Sequence, residues 1–304
     1  MTHPDVRLSH RGDHVPAEWH KCTRGASIRD GAGLVAELAA WLAVLPEGSA
    51  VTHLSAAALR GWWLPPLPEG LPVVIAVPAH CRVRRPGLKV VRRRTPVEIE
   101  YVHGLPVESV PATLATCARD LSALDLICLL EAAQTEARLT DDDFSTVERR
   151  WGASALASAL SRSRGGSESY WEVVLRELHR TVGVEVEPQF DVHDAEGRFV
   201  ARSDLRLCGT RSLHEYDGEC HRSPAQHAHD LRRDRRLQAA GWIRRGYTSR
   251  DLVERPVGVL ADVDAALGRP HVPERIRAWH ELLRASCLTP GGRAALEARV
   301  RRSP

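Results

Sequence analysis

Arg198-Phe199-Val200-Ala201-Arg202-Ser203-Asp204-Leu205-Arg206-Leu207-Cys208-Gly209-Thr210-Arg211-Ser212-Leu213-His214-Glu215-Tyr216-Asp217-Gly218 holds two alternating runs that flank Gly209-Thr210. The alternation predicts a β-hairpin, and glycine in the first central place suits a two-residue turn of type II′. That register sets Cys208 opposite Arg211, Arg206 opposite Leu213 and Asp204 opposite Glu215. Opposed residues of an antiparallel pair hold their Cβ atoms roughly 4.5–5.5 Å apart, so two carboxylates stand side by side. Asp217 returns to the Glu215 face because strand side chains alternate. Such like charges destabilise the hairpin unless a cation lies between them or one is protonated. The other face carries Phe199, Ala201, Leu205 and Leu207, with Tyr216 across from them, and is expected to pack on a core. The plainer reading is an exposed hairpin in which Asp204 pairs with Arg202 or Arg206 and Asp217-Gly218 is an ordinary turn.

Outward from the hairpin, the flanking residues alternate between helix and strand signals. Ser169-x-x-Glu172 is a capping box that opens a helix to Val182, with Trp171, Val174, Leu175 and Leu178 as its core stripe. Val184 to Val192 reads as a strand, and Pro188 places it at a sheet edge. Ser223-Pro224-x-Gln226 starts a second helix that ends at Gly241, Trp242 to Tyr247 is a strand, and Thr248 or Ser249 caps the next helix. Helix, strand, hairpin, helix, strand describes a mixed sheet with a helix on each side, of α+β or α/β class.

Before this unit, the polar Arg162-Ser163-Arg164-Gly165-Gly166 reads as a domain boundary. The predicted organisation is an irregular segment over 1–30, a mostly helical domain with a small antiparallel sheet over 31–162, the hairpin-centred domain over 167–268 and a basic helical tail over 269–304. Within 31–162 a helix over Leu34 to Leu45 stops at Pro46-Glu47-Gly48, and Ser55 caps a short helix to Arg60. Strands follow at 73–77, 88–92 and 98–102, then helices at 112–119, 123–137, 140–151 and 153–161.

At 304 residues, with 43% hydrophobic and 27% charged side chains, the chain has the composition of a globular protein with room for two cores. It lacks an apolar run approaching the ~18 residues of a membrane span, and the first thirty residues lack an apolar signal segment, so no membrane partner and a cytoplasmic location are predicted. Seven cysteines without a Cys-x-x-Cys pair read as reduced thiols. The net charge of +3 conceals two basic groups. Arg82, Arg84, Arg85, Lys89, Arg92, Arg93 and Arg94 form one, and Arg232, Arg233, Arg235, Arg236, Arg244 and Arg245 the other. Clustered arginine is the footprint of phosphate contact, so Arg82 to Arg94, Arg232 and Arg236 are candidate nucleic-acid contacts.

From Glu168 to Leu252 the sequence resembles the very-short-patch-repair-like branch of the PD-(D/E)XK nucleases, known as domain of unknown function 559. The matching residues are Glu168-Ser169-x-x-Glu172-x-x-x-Arg176, Gln189, Ser203-Asp204-Leu205, Glu215-Tyr216-Asp217-Gly218, His221, Asp230-x-x-Arg233-Asp234 and Ala240-Gly241-Trp242. The resemblance implies a restriction-endonuclease-like mixed sheet and a divalent cation, magnesium or manganese, that hydrolyses nucleic-acid phosphodiesters. Asp204 and Glu215 would hold the metal and Glu172 would orient water or complete the shell. The superfamily motif ends in lysine where this chain has Asp217, so Asp217 becomes a further ligand and His221, Arg233 or Arg176 takes the cationic role, or the site does not cut. Residues Ser55 to Gly61, Val73 to Pro78 and Gly104 to Ser109 resemble the middle of actinobacterial type IV, abortive-infection (AbiEi-like) antitoxins, which begin with a DNA-reading winged helix.

Three functions follow as expectations. The first is a metal-dependent nuclease acting on DNA, with catalytic residues Glu172, Asp204, Glu215, Asp217, His221 and Arg233. The second is a non-catalytic DNA-binding regulator of antitoxin type, with a toxin or other protein as possible partner. The third is a protein-interaction role in which the carboxylates are structural.

Overall fold

The computed structural model describes residues 3–9, 14–95, 97–136, 139, 153–218 and 224–302. Strands β1 (Val6–Leu8), β2 (Trp19–Thr23) and β3 (Ala26–Arg29) form an antiparallel sheet in the order β1-β3-β2. An irregular start was expected here. Only one side of this sheet is apolar, with Ala26 and Ile28 buried against Ala40 of helix α1 (Leu34–Ala43), and the polar residues between them mask the strand period.

A second sheet takes β4 (Ala50–Val51), β5 (Val73–Pro78), β6 (Leu88–Arg93), β7 (Ile99–Val102) and β8 (Leu105–Glu108) in the order β6-β5-β4-β8-β7. It is mixed rather than antiparallel, because loop 79–87 carries the chain back so that β6 runs parallel to β5, and β8 runs parallel to β4. Within 31–162 these five strands stand beside helices that hold more of its described residues. Helix α2 (His53–Leu59) has Thr52 rather than Ser55 in the cap position, and the Ser55 hydroxyl accepts instead from the Val74 amide at 2.9 Å.

Helices α3 (Val110–Cys117), α4 (Ala123–Glu136) and α5 (Ala153–Arg162) follow; the helix predicted at 140–151 lies outside the described residues. Helix α4 is apolar almost all round, which makes it central. Its Leu126, Ile127, Leu129 and Leu130 share one core with Val174 and Leu178 of α6 (Tyr170–Thr181). The C-terminal helices α10 (Arg277–Ala285) and α11 (Pro290–Arg302) put Trp279, Leu296 and Val300 into the same core. The described residues of the predicted basic helical tail, 269–302, are thus helical and packed on this core. Asp125 of α4 accepts from the Ser286 hydroxyl at 2.6 Å and the Cys287 amide at 3.0 Å, which fastens that segment.

The third sheet holds β9 (Val186–His193), β10 (Phe199–Leu207), β11 (Ser212–Tyr216) and β12 (Ile243–Tyr247) in the order β12-β11-β10-β9. The first three are antiparallel neighbours, and helix α7 (Pro224–Ala239) crosses over to bring β12 parallel to β11. Leu205 and Leu207 pack toward α6, whereas Val192, Val200 and Leu213 pack toward Leu237 of α7. The result is helix, sheet, helix. Short helix α8 (Ser249–Val253), capped by Thr248, and helix α9 (Pro256–Ala266) complete the unit.

Arg206 faces Leu213 as predicted, but the reversal is built differently. The Thr210 amide donates to the Leu207 carbonyl at 3.1 Å, so Cys208 and Gly209 are the central residues and glycine takes the second place, at φ +76°. Phe199 was expected in the core and is instead 58% exposed. A register shift between Phe199 and Ala201 turns it outward. The described helices include none long and apolar enough to cross a membrane.

Candidate functional site

The third sheet places Asp204 and Glu215 on its two central strands, β10 and β11. Asp204 lies two residues beyond the Arg206–Leu213 pair, and its Oδ2 accepts from the Tyr216 amide at 2.8 Å. Its Oδ1 takes no hydrogen bond among the described residues. Burial raises the Asp204 carboxyl from 3.8 to about 7. The Tyr216 amide and Arg233 oppose that rise, and the charges of Glu172 and Glu215 add to it. Asp204 thus feels both of the other predicted acids and carries its proton near neutral pH.

Glu172 reaches this place from the first turn of α6. Ser169 caps the helix by accepting from the Glu172 amide at 3.3 Å. The Glu172 carboxylate accepts from the Ser169 hydroxyl at 2.8 Å, the Glu168 amide at 2.8 Å and Gln189 Nε2 at 2.9 Å. Gln189, itself at φ +49°, thereby ties the edge strand to the acid. The capping and site roles of Glu172 coexist in one side chain.

Glu215 is 4% exposed and held by two guanidinium groups. Arg233 of α7 binds it as a fork, Nη1 to Oε2 at 3.0 Å and Nη2 to Oε1 at 2.6 Å. Arg244 of β12 donates Nε to Oε2 at 2.5 Å and Nη2 to Asp217 Oδ1 at 2.7 Å. Burial pulls the Arg244 pKa down, but Glu215 and Asp217 more than offset it and the group stays fully charged. Parallel pairing explains why Arg244 is there. Leu213 faces Arg244 and Glu215 faces Gly246, so residues 244 and 246 share the Glu215 side of the sheet. Gly246 is required by this packing, since a Cβ there would overlap the Asp217 carboxylate.

Of the cationic substitutes considered for the motif lysine, Arg233 is at the site and Arg176 is not. Arg176 is 1% exposed and bound to Glu131 of α4, with Nη1 to Oε2 at 2.9 Å. It spends its charge joining α6 to α4. His221 lies outside the described residues.

The predicted nucleic-acid patch divides. Arg82, Arg84 and Arg94 are exposed with no hydrogen-bond or ion-pair partner among the described residues, and Arg92 is exposed on β6. Arg93 instead forks the buried Glu108, and Arg85 donates to the Arg24 and Val44 carbonyls. Lys89 is half-buried, which lowers its pKa. On α7, Arg232 and Arg236 are exposed.

Three features had no place in the sequence reading. Arg244 appeared only as a member of a basic cluster; pairing Trp242–Tyr247 with β11 would have brought it to Glu215. His179 and His214 are buried with Nε2 and Nδ1 2.8 Å apart. His179 Nδ1 is 2.7 Å from the Leu175 carbonyl, so it donates there and Nε2 accepts from His214. Burial lowers the two to about 4 and about 2, leaving a neutral pair between α6 and β11.

Among the described residues no three His, Cys, Asp or Glu side chains form a ready metal cage. The fold and site define an α+β protein with an acidic cluster on the central strands of its third sheet, paired with arginine. Comparison with family models, with curated proteins and with solved structures returns no match for this chain.

Proposed function

We propose that the protein is a divalent-metal-dependent endonuclease built on a restriction-endonuclease-like unit, acting on DNA. The observation that carries this reading is that Asp204 and Glu215, on the two central strands of a mixed four-stranded sheet between two helices, lie near enough to Glu172 for the charges of both acids to act on Asp204. Strand order β12-β11-β10-β9, with β12 parallel to β11, supports the nuclease-like assignment.

The donor set suits magnesium or manganese, since every candidate ligand is a carboxylate oxygen. Asp204 Oδ1 takes no hydrogen bond among the described residues, and the carboxyl titrates near 7 beside two acids, which suits a hard-cation site. Asp204, Glu215 and Asp217 would hold the ion, which supplies Lewis-acid polarisation of a phosphoryl oxygen and a lowered water pKa when bound. Glu172 is fixed by three donors, so it can orient a water without moving. Arg233 and Arg244 are placed to neutralise charge on a phosphate oxygen in the role the motif lysine fills elsewhere. Arg82, Arg84, Arg92 and Arg94 supply sequence-independent backbone contact.

A second reading, a DNA-binding regulator that keeps the fold without cutting, is favoured by one observation. Both Glu215 oxygens are already engaged by guanidinium groups, so ligand binding to a cation requires Arg244 to let go. Incubating plasmid and short oligonucleotides with Mg2+ or Mn2+ separates the two. Cleavage that disappears in Asp204→Asn and Glu172→Gln supports the nuclease. Salt-sensitive DNA binding without cleavage supports the regulator, and cleavage that survives both substitutions refutes this site.

A further inference from the structure

Beside the C-terminal half of α6 is a cavity of about 500 Å³, lined by Arg164, Arg176, Arg180 and Glu185 with Val184 and Val186. Its volume falls within the roughly 300–1,000 Å³ of small-molecule sites. Its walls are polar for such a site, and their charge is mostly cationic.

The acids nearby are already committed. Glu131 takes the Arg176 fork, and Glu177 takes Arg162 at 2.6 Å and Arg180 at 3.5 Å. Arg176 also donates to the Ser167 hydroxyl at 2.9 Å, but its buried Nε has no hydrogen-bond partner and stands 3.8 Å from Glu177. Arg180 sends Nη1 to the Arg162 carbonyl at 2.7 Å. The exposed Arg164 side chain has no hydrogen-bond or ion-pair partner among the described residues. None of these groups belongs to the Asp204–Glu215 cluster.

We propose that this cavity binds a small organic phosphate of nucleotide size. Arg164 and Arg180 take the phosphate, whose several acceptor oxygens match guanidinium forks better than a point charge. Arg176, 1% exposed, adds its fixed positive charge to the lining. Val186 borders the cavity, and Glu185 accepts from a hydroxyl.

Calorimetric titration of the full chain in EDTA tests this, with adenosine 5′-monophosphate, adenosine and inorganic phosphate as probes. The expected result is saturable binding of the monophosphate, weaker binding of inorganic phosphate and none of adenosine. Arg164→Glu weakens the monophosphate at least tenfold without lowering Tm, because that side chain is exposed, and Arg180→Gln also weakens it. Asp204→Asn binds as the wild type does, which keeps the result independent of the metal site. Absence of monophosphate binding up to ~10 mM, a Kd that would correspond to less than ~3 kcal/mol, overturns the proposal. So does equal affinity in Arg164→Glu. An oligonucleotide that binds in an Arg164-dependent way while the monophosphate does not assigns the surface to nucleic acid and also overturns it.

Discussion

Replacing Asp204 with asparagine stabilises the protein at pH 8 and does so less as the pH falls. The folded carboxyl titrates near 7 against 3.8 for the ordinary group. A raised folded pKa means that its stabilising share is full below the unfolded value and is lost as pH rises through the folded one. The loss therefore accumulates from about pH 4 to about pH 7 and stays constant above. Three units at ~1.4 kcal/mol each give about 4 kcal/mol, an upper bound because the side chain retains some solvent contact. Asparagine keeps the oxygen that accepts from the Tyr216 amide and removes the charge that meets Glu172 and Glu215. With roughly 2 °C of Tm per kcal/mol in a chain of this size, Asp204→Asn melts up to about 8 °C higher at pH 8. At pH 5 the advantage falls to about 2 kcal/mol or less. Thermal melts of both proteins from pH 5 to 8 measure this directly. A variant that is no more stable at pH 8, or whose advantage is the same at both ends, shows that the wild-type carboxylate is ionised and well paired, and the account of the site is then wrong.

Glu215→Gln strands Arg233 and Arg244 in a largely buried place and costs about 2–4 kcal/mol in denaturant unfolding, near the lower end because both arginines keep some exposure. Gly246→Ala pushes the Asp217 carboxylate off Arg244 and costs about 1–3 kcal/mol, and adding Asp217→Ser to it recovers most of the loss, a coupling read by a double-mutant cycle. Glu131→Gln, by leaving the Arg176 charge unmatched in the core, costs about 3–5 kcal/mol, whereas the pair Glu131→Leu with Arg176→Met is close to neutral. Arg82→Glu with Arg84→Glu and Arg94→Glu weakens DNA binding and flattens its salt dependence without moving Tm, while Arg93→Glu lowers Tm because it opposes the buried Glu108.

Local signals in the sequence were good guides wherever a short-range rule decides the outcome. Ser169 and Thr248 cap the helices assigned to them, Pro188 sits on an edge strand, and the hairpin pairs Arg206 with Leu213. Each depends on a few neighbouring residues. The misses among the charged residues involve partners far apart in the chain. Arg93 reads as a phosphate contact until β6 and β8 bring it to Glu108, and Arg176 reads as a site cation until α4 supplies Glu131. Arg244 reads as one of a cluster until β12 settles beside β11. Nothing in a period of 2 or 3.6 tells which arginine meets which acid, because both the exposed and the buried ones recur at the same spacing. Phe199 failed for a different reason, since one inserted residue in β10 reverses the facing of everything before it.

The decisive chemistry of the site is a competition for Glu215. Two guanidinium groups balance the charges of Glu215 and Asp217, which leaves Glu172 and a half-protonated Asp204 to attract a cation at pH 7. In the nuclease reading a divalent ion must displace Arg244 and drive a proton from Asp204. Below about pH 7 metal affinity then falls roughly tenfold per unit, because one proton is released for each ion bound. Arg244→Gln removes the competitor and strengthens binding in the nuclease reading, with Mn2+ raising Tm more in the variant than in the wild type. If Mn2+ raises neither, the arginines are permanent occupants and the fold serves binding alone.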